Sequence, residues 1–98
     1  MPGRFLVLFA LGRQEGSRVG ITATRRLGSA VVRNRVRRRV RELARHHWTQ
    51  VAALAADVVV NARQAGVGAT WAELEADFLD CLRRTGRRLQ RAAPSSES

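Results

Sequence analysis

The chain has 98 residues, 18 arginines and no lysine against 8 acidic residues, for a formal net charge of +10. That length supports one domain with one modest core. The single cysteine excludes an internal disulfide and fits a reducing cytoplasm; no apolar run approaches the ~20 residues needed to cross a bilayer. A cytoplasmic protein with an anionic partner is expected, and a basic surface of this kind most often means nucleic acid.

Arg4 followed by the apolar run Phe5–Leu11 has the look of a signal sequence, but no small-residue cleavage site follows, so the run is predicted to be a buried strand. Gly12–Ser17 is a polar turn region. Over Arg18–Thr24, Val19, Ile21 and Ala23 alternate with Arg18, Gly20, Thr22 and Thr24, which predicts a second strand with one apolar face. The two strands are expected to pair as an antiparallel hairpin. Phe5 and Phe9 share the parity of Val7, which favours a core position for them; the alternative is a strand face open to a cleft, where they would stack bases.

Ser29 is a candidate N-cap for a helix reaching about Trp48. Val32, Val36, Val40 and Leu43 fall on one helical stripe, and Asn34, Arg38, Arg41 and Arg45 fall roughly opposite. Arg18–Arg45 holds ten arginines against one acid, Glu42. Like charges at i, i+4, such as Arg33–Arg37 and Arg37–Arg41, repel, and an unpartnered helix would gain by exchanging some for Glu. Asn34 has poor mid-helix propensity, which points to a specific hydrogen bond to RNA. His46 and His47 are adjacent and cannot share a helix face, so charged imidazoles near a helix C-terminus are expected rather than a metal site.

Asp57–Ala62, with three consecutive valines, is predicted as a third strand covered on both faces. Arg63–Ala69 reads as a loop, and Thr70 with Glu73 as a capping box. The helix that follows carries Trp71, Leu74, Phe78, Cys81 and Leu82 inward, with Asp80 and Arg84 paired outside. Trp48 and Trp71 are expected to be packing residues, Cys81 a small core residue, Gly86 a point where the helix weakens or ends, and 92–98 a disordered tail. The order strand, strand, helix, strand, helix over 1–91 makes a single α+β domain, a small α/β sandwich whose antiparallel or mixed sheet carries a central basic helix and a C-terminal helix.

The stretch RVGITATRRLGSAVVRNR, residues 18–35, resembles the protein subunit of bacterial ribonuclease P: a strand, a basic pair, a Gly-turn, then Arg-Asn-Arg opening a basic helix. The likeness continues through Arg37, Arg38, Arg41 and Glu42, and the Asp57–Arg63 strand and the Thr70 helix start look like the family's last strand and helix. The resemblance implies a ribonuclease P protein-like fold, of the kind shared with a ribosomal protein domain. It further implies an accessory subunit, bound one-to-one to a catalytic RNA that uses Mg2+ to remove the 5′ leader of precursor tRNA, with no cofactor held by the protein itself. Carried over by motif, Arg33, Asn34, Arg35, Arg37, Arg38 and Arg41 contact that RNA, Arg25 and Arg26 enter the same patch, and Arg45 extends it. Phe5 and Phe9 are the candidates for contact with the leader.

Two departures stand out. Ser29 occupies a position where the family commonly has Asn, a small change because both cap helices well. Family members usually carry a basic helix ahead of the strand that here begins near Arg4, and that helix forms one wall of the leader cleft; without it, apolar surface on Phe5, Val7 or Phe9 is expected to lie exposed. The residues also argue against a nuclease site in the protein. Glu73, Glu75, Asp77 and Asp80 lie on the late helix, away from the basic surface, where they make no acid–base or metal constellation. The alternative to the processing role is a general RNA-binding or ribosome-associated protein.

Overall fold

The computed structural model describes residues 2–14 and 16–92. In chain order these form β1 (Leu6–Gly12), β2 (Arg18–Thr22), a 3-10 turn (Arg25–Leu27), α1 (Ala30–His46), α2 (Trp48–Ala52), β3 (Ala56–Ala62), a 3-10 turn (Gln64–Gly66) and α3 (Trp71–Ala92). Ala92 closes α3; the rest of the expected tail, 93–98, lies outside the described residues, as does Glu15 of the expected turn.

The two N-terminal strands do not pair. The sheet order is β1-β3-β2, with β1 antiparallel and β2 parallel to β3. A strand, a helix and a further strand in succession form a crossover unit whose strands run parallel, and this claims β3 as the neighbour of β2. The connection expected to be a hairpin is instead stitched to the start of β3. Arg13 N–H donates to the Ala55 carbonyl at 2.7 Å, its guanidinium pairs with Asp57 at 2.8 Å, and the Ser17 hydroxyl donates to Val51 O at 3.0 Å while accepting from Ala56 N–H at 3.1 Å. These bonds carry the chain across the end of β3, so β2 emerges on its far side.

One face of the sheet holds the core. Leu6 and Leu8 of β1 and Ala56, Val58, Val60 and Ala62 of β3 are buried together with Val36, Val40, Leu43 and Ala44 of α1 and Leu74, Phe78, Cys81 and Leu82 of α3. Both long helices therefore cover the same face. Three of the four residues of the predicted α1 stripe are fully in the core, and Val32 is half-buried at its start. Ser29 caps α1, its hydroxyl accepting from Val32 N–H. Gly28 before it sits at φ +132°, a backbone state that side-chain-bearing residues rarely adopt.

The opposite face is open, which corrects two expectations. Val59 is 40 % exposed, so β3 is not covered on both sides. The core parity of β1 belongs to Leu6 and Leu8, not to Val7 and Phe9, and Phe9 is 56 % exposed. Gly86 does not end α3. The helix runs through it, and the absent side chain leaves room for Leu54, whose Cδ2 would lie 3.3 Å from a Cβ at that position. α1 ends at His46, slightly before the expected Trp48, where His47 leaves helical geometry and α2 begins.

Candidate nucleic-acid interface

α1 presents its basic face as the periodicity predicts. Asn34, Arg35, Arg38, Arg41 and Arg45 are all exposed, and the line from Asn34 to Arg45 runs about 16 Å at the helical rise per residue. Arg33 and Arg37 flank this line half-buried. The Asn34 carboxamide oxygen accepts from Arg37 Nη1 at 3.3 Å, so part of its hydrogen-bonding capacity is spent within the helix while its NH2 donors remain for a partner. Arg45 pairs loosely with Glu42 at 3.4 Å. Arg25 and Arg26 stand exposed on the 3-10 turn leading into α1 and extend the same positive surface. Arg26 also lines a depression of about 390 Å³ with Thr24, Asn61, Arg63 and Gln64, which joins the basic turn to the C-terminal end of β3.

Arg39, in the middle of the arginine run, has a different role. Its Nη2 donates to the Ala69 carbonyl at 2.7 Å, tying α1 to the approach of α3. A second tie lies at the C-terminal end of α1, where His47 Nε2 meets Glu75 Oε2 at 2.9 Å and His46 packs edge-on against Trp71. The two histidines thus anchor the basic helix to α3. These contacts were not visible in the sequence, because each joins residues farther apart along the chain than any local spacing reaches.

The open face of the sheet is the second surface. Its register pairs Phe9 with Val59 and Val59 with Gly20, so an apolar platform of Phe9 and Val59 looks out over a residue without a side chain. Leu11, 73 % exposed, extends this platform along β1. The two sequence candidates for leader contact are separated by the structure. Phe9 is displayed, whereas Phe5 is half-buried against the core with the Arg4 guanidinium 5.3 Å over its ring.

Asp77 sets this display, and no local pattern of residues signals it. Its carboxylate accepts from Arg4 N–H at 3.0 Å and from Phe5 and Leu6 N–H at 2.9 Å each, fastening the entry of β1 to α3. The close approach requires Gly3, since a Cβ there would lie 2.5 Å from an Asp77 oxygen. The other carboxylates of the described residues are similarly engaged. Asp57 binds Arg13, Asp80 binds Arg83 and Arg84, and Glu73 closes the predicted capping box with Thr70. Hydrogen bonds from the Thr70 backbone and hydroxyl hold the Glu73 carboxyl below its ordinary pKa, and burial pushes the Cys81 thiol up. Among the described residues no group of three or more metal-ligating side chains comes together, and no helix is long and apolar enough to cross a membrane.

Residues 1–86 match the family model described as Ribonuclease P. A ribonuclease P protein component of Gluconacetobacter diazotrophicus is 41% identical over 90 residues, spanning 90% of this chain and 78% of the relative. One from Symbiobacterium thermophilum is 41% identical over 88 residues, spanning 88% and 76%. The fold is similar to the solved RNase P protein of Staphylococcus aureus, with TM-score 0.75 and 27% identity over 86% of this chain and 77% of that one. The Thermotoga maritima RNase P protein gives TM-score 0.76 at 24% identity, a likeness of fold.

Proposed function

The chain belongs to the ribonuclease P protein family, and from that premise we propose that it docks the RNA subunit of ribonuclease P on the basic face of α1 and helps that RNA remove the 5′ leader of precursor tRNA. It is a tRNA-processing subunit of an endoribonuclease complex. The observation that carries the docking assignment is the asymmetry of α1. Val36, Val40 and Leu43 fix one side in the core, while Asn34, Arg38, Arg41 and Arg45 stand together on the other, where guanidinium forks suit phosphates.

The protein's part in this reading is positioning and charge neutralisation. RNA phosphates drawn onto Arg25, Arg26, Arg33, Arg35, Arg37, Arg38, Arg41 and Arg45 release counterions, and Asn34 adds a hydrogen bond that charge alone does not supply. The single-stranded leader crosses the open sheet face, where Phe9 offers its ring to a base and the half-buried Phe5 borders the platform. Hydrolysis belongs to the RNA, with Mg2+ held there. The carboxylates of the described residues are committed to Arg, His or backbone partners, so the residues of this chain do not fit a hydrolytic metal site and contribute no step through one. One protein per RNA subunit suffices, since both surfaces lie on one domain.

The test is a titration of the RNA subunit with wild-type protein and with Arg38→Ala/Arg41→Ala across a range of salt. Wild-type affinity should fall steeply with salt, and the variant should bind more weakly with a salt slope shallower by about two. Equal binding by both proteins would remove α1 from the interface. Equal wild-type affinity for unrelated structured RNAs would favour a general RNA-binding protein.

A further inference from the structure

The two tryptophans have different surroundings. Trp71, expected inward, is 37 % exposed and meets His46 in a T-shaped ring contact. Trp48, on α2, is 46 % exposed and has no aromatic partner among the described residues, so the packing role expected for it is not the one the fold gives it. It stands instead at one side of a slot of about 590 Å³ lined by Val19 and Ile21 of β2 and by Arg41, Ala44 and Arg45 of α1. That volume is in the range of clefts that take small organic ligands, roughly 300–1,000 Å³. The slot exists because β2 is an edge strand: the core-side chains of Val19 and Ile21 are only half-buried there, and α1 covers them incompletely.

The slot combines three features. The floor is apolar, one wall is an indole with an accessible surface, and the rim carries two guanidiniums that also belong to the basic line of α1. An apolar peptide would use the floor and bring no anion to Arg41, or to Arg45 beyond its loose 3.4 Å pairing with Glu42. A nucleotide uses all three, with its base stacked on the indole and its phosphates on the arginines. The spacing also fits. Arg41 and Arg45 continue the line from Asn34 and Arg38, so an RNA seated on α1 already brings its backbone to the mouth of the slot.

We infer that this slot receives one unstacked base of the RNA subunit, stacked on Trp48 and clamped through its flanking phosphates by Arg41 and Arg45. The inference rests on the docking of that RNA on α1 and adds to it a base contact at a defined place. It makes the interface sensitive to a bulged or looped nucleotide in the RNA rather than to duplex phosphates alone.

The experiment uses the full chain and the transcribed RNA subunit. With Trp71→Phe in the background, Trp48 is the only indole, and its emission should be quenched on addition of the RNA. Trp48→Ala should weaken binding by roughly five- to a hundredfold, the range for loss of one base stack, without changing the salt slope, because stacking neutralises no phosphate. Trp48→Phe should restore most of the loss. Arg41→Ala should flatten the salt slope, which separates the rim from the wall. If the wild type binds the RNA but Trp48 emission does not change, or Trp48→Ala binds as the wild type does, the base slot is overturned while docking on α1 stands. Quenching that follows protein concentration without RNA would assign the slot to a second copy and also overturn the inference. Absence of RNA binding by the folded wild type would overturn the docking reading, and the slot with it.

Discussion

The Asp77 carboxylate receives the N–H of Leu6 at 2.9 Å, so a side chain in the first half of α3 fixes the first residue of β1. With Arg4 and Phe5 N–H held by the same carboxylate, the register and facing of β1 are set at its entry. Leu6 and Leu8 then point to the core, and Phe9 must point away from it. The position of the display residue is thus a consequence of a clamp three residues upstream of it and of Gly3, which lets the clamp close.

Removing that clamp should destabilise the protein. Asp77→Ala leaves three backbone N–H groups without their charged acceptor and is expected to cost about 2–3 kcal/mol, within the range for hydrogen bonds to an ionised group. Urea unfolding measures it. Asp77→Asn retains acceptor capacity on one oxygen and should lose less.

Neighbouring residues of β1 should separate stability from substrate binding. Leu8→Ala removes a fully buried side chain and should cost ~2–5 kcal/mol of stability. Phe9→Ala removes a largely exposed ring and should leave the urea midpoint nearly unchanged. It should weaken binding of precursor tRNA to the assembled complex by about 1–3 kcal/mol relative to mature tRNA, the worth of one base–aromatic stack. Equal discrimination between precursor and mature tRNA by Phe9→Ala and wild type would remove Phe9 from the leader path.

Adjacent arginines of α1 should also behave differently. Arg38 is exposed with no ion-pair partner among the described residues, whereas Arg39 is bonded to the Ala69 carbonyl. Arg38→Ala should lower RNA affinity by ~1–3 kcal/mol with little change in unfolding. Arg39→Ala should lower the unfolding midpoint and affect RNA affinity less. Filter binding and urea melts on the same two preparations compare them directly.

The acid side of stability should report the capping box. Glu73 has its folded pKa below the ordinary 4.5 because Thr70 donates to its carboxylate. A depressed carboxyl pKa contributes stability in full above the unfolded value, and that contribution is lost as pH falls through the lowered folded value. Glu73→Gln should therefore flatten the loss of stability below about pH 4.5 while leaving the shape of the curve at higher pH unchanged. Urea midpoints measured down through that window are the check.

The basic helix was legible because its two faces obey one period: four apolar residues and four polar ones, each at helical spacing, leave little choice of orientation. The Thr70–Glu73 box was legible for a similar reason, being local in the chain. The strand order was not, because it is decided by the bonds of Arg13 and Ser17 to residues far along the chain. The facing of β1 was also hidden. Phe5 to Phe9 is apolar at every position, so alternation carries no information there, and Asp77 on a distant helix makes the choice. The exposure of Trp48 is hidden for a related reason: it depends on how far α1 covers an edge strand, which composition does not express.

The proposal that this chain assists an RNA catalyst through its basic face has a decisive test in the reaction itself. Its most direct measurement is cleavage of precursor tRNA by the RNA subunit at limiting Mg2+, with and without the protein. Folded wild-type protein should accelerate removal of the 5′ leader, Arg38→Ala/Arg41→Ala should lose most of this acceleration at moderate salt, and the protein alone should cleave nothing. Acceleration undiminished in the double variant, or cleavage by the protein without RNA, would contradict the proposal.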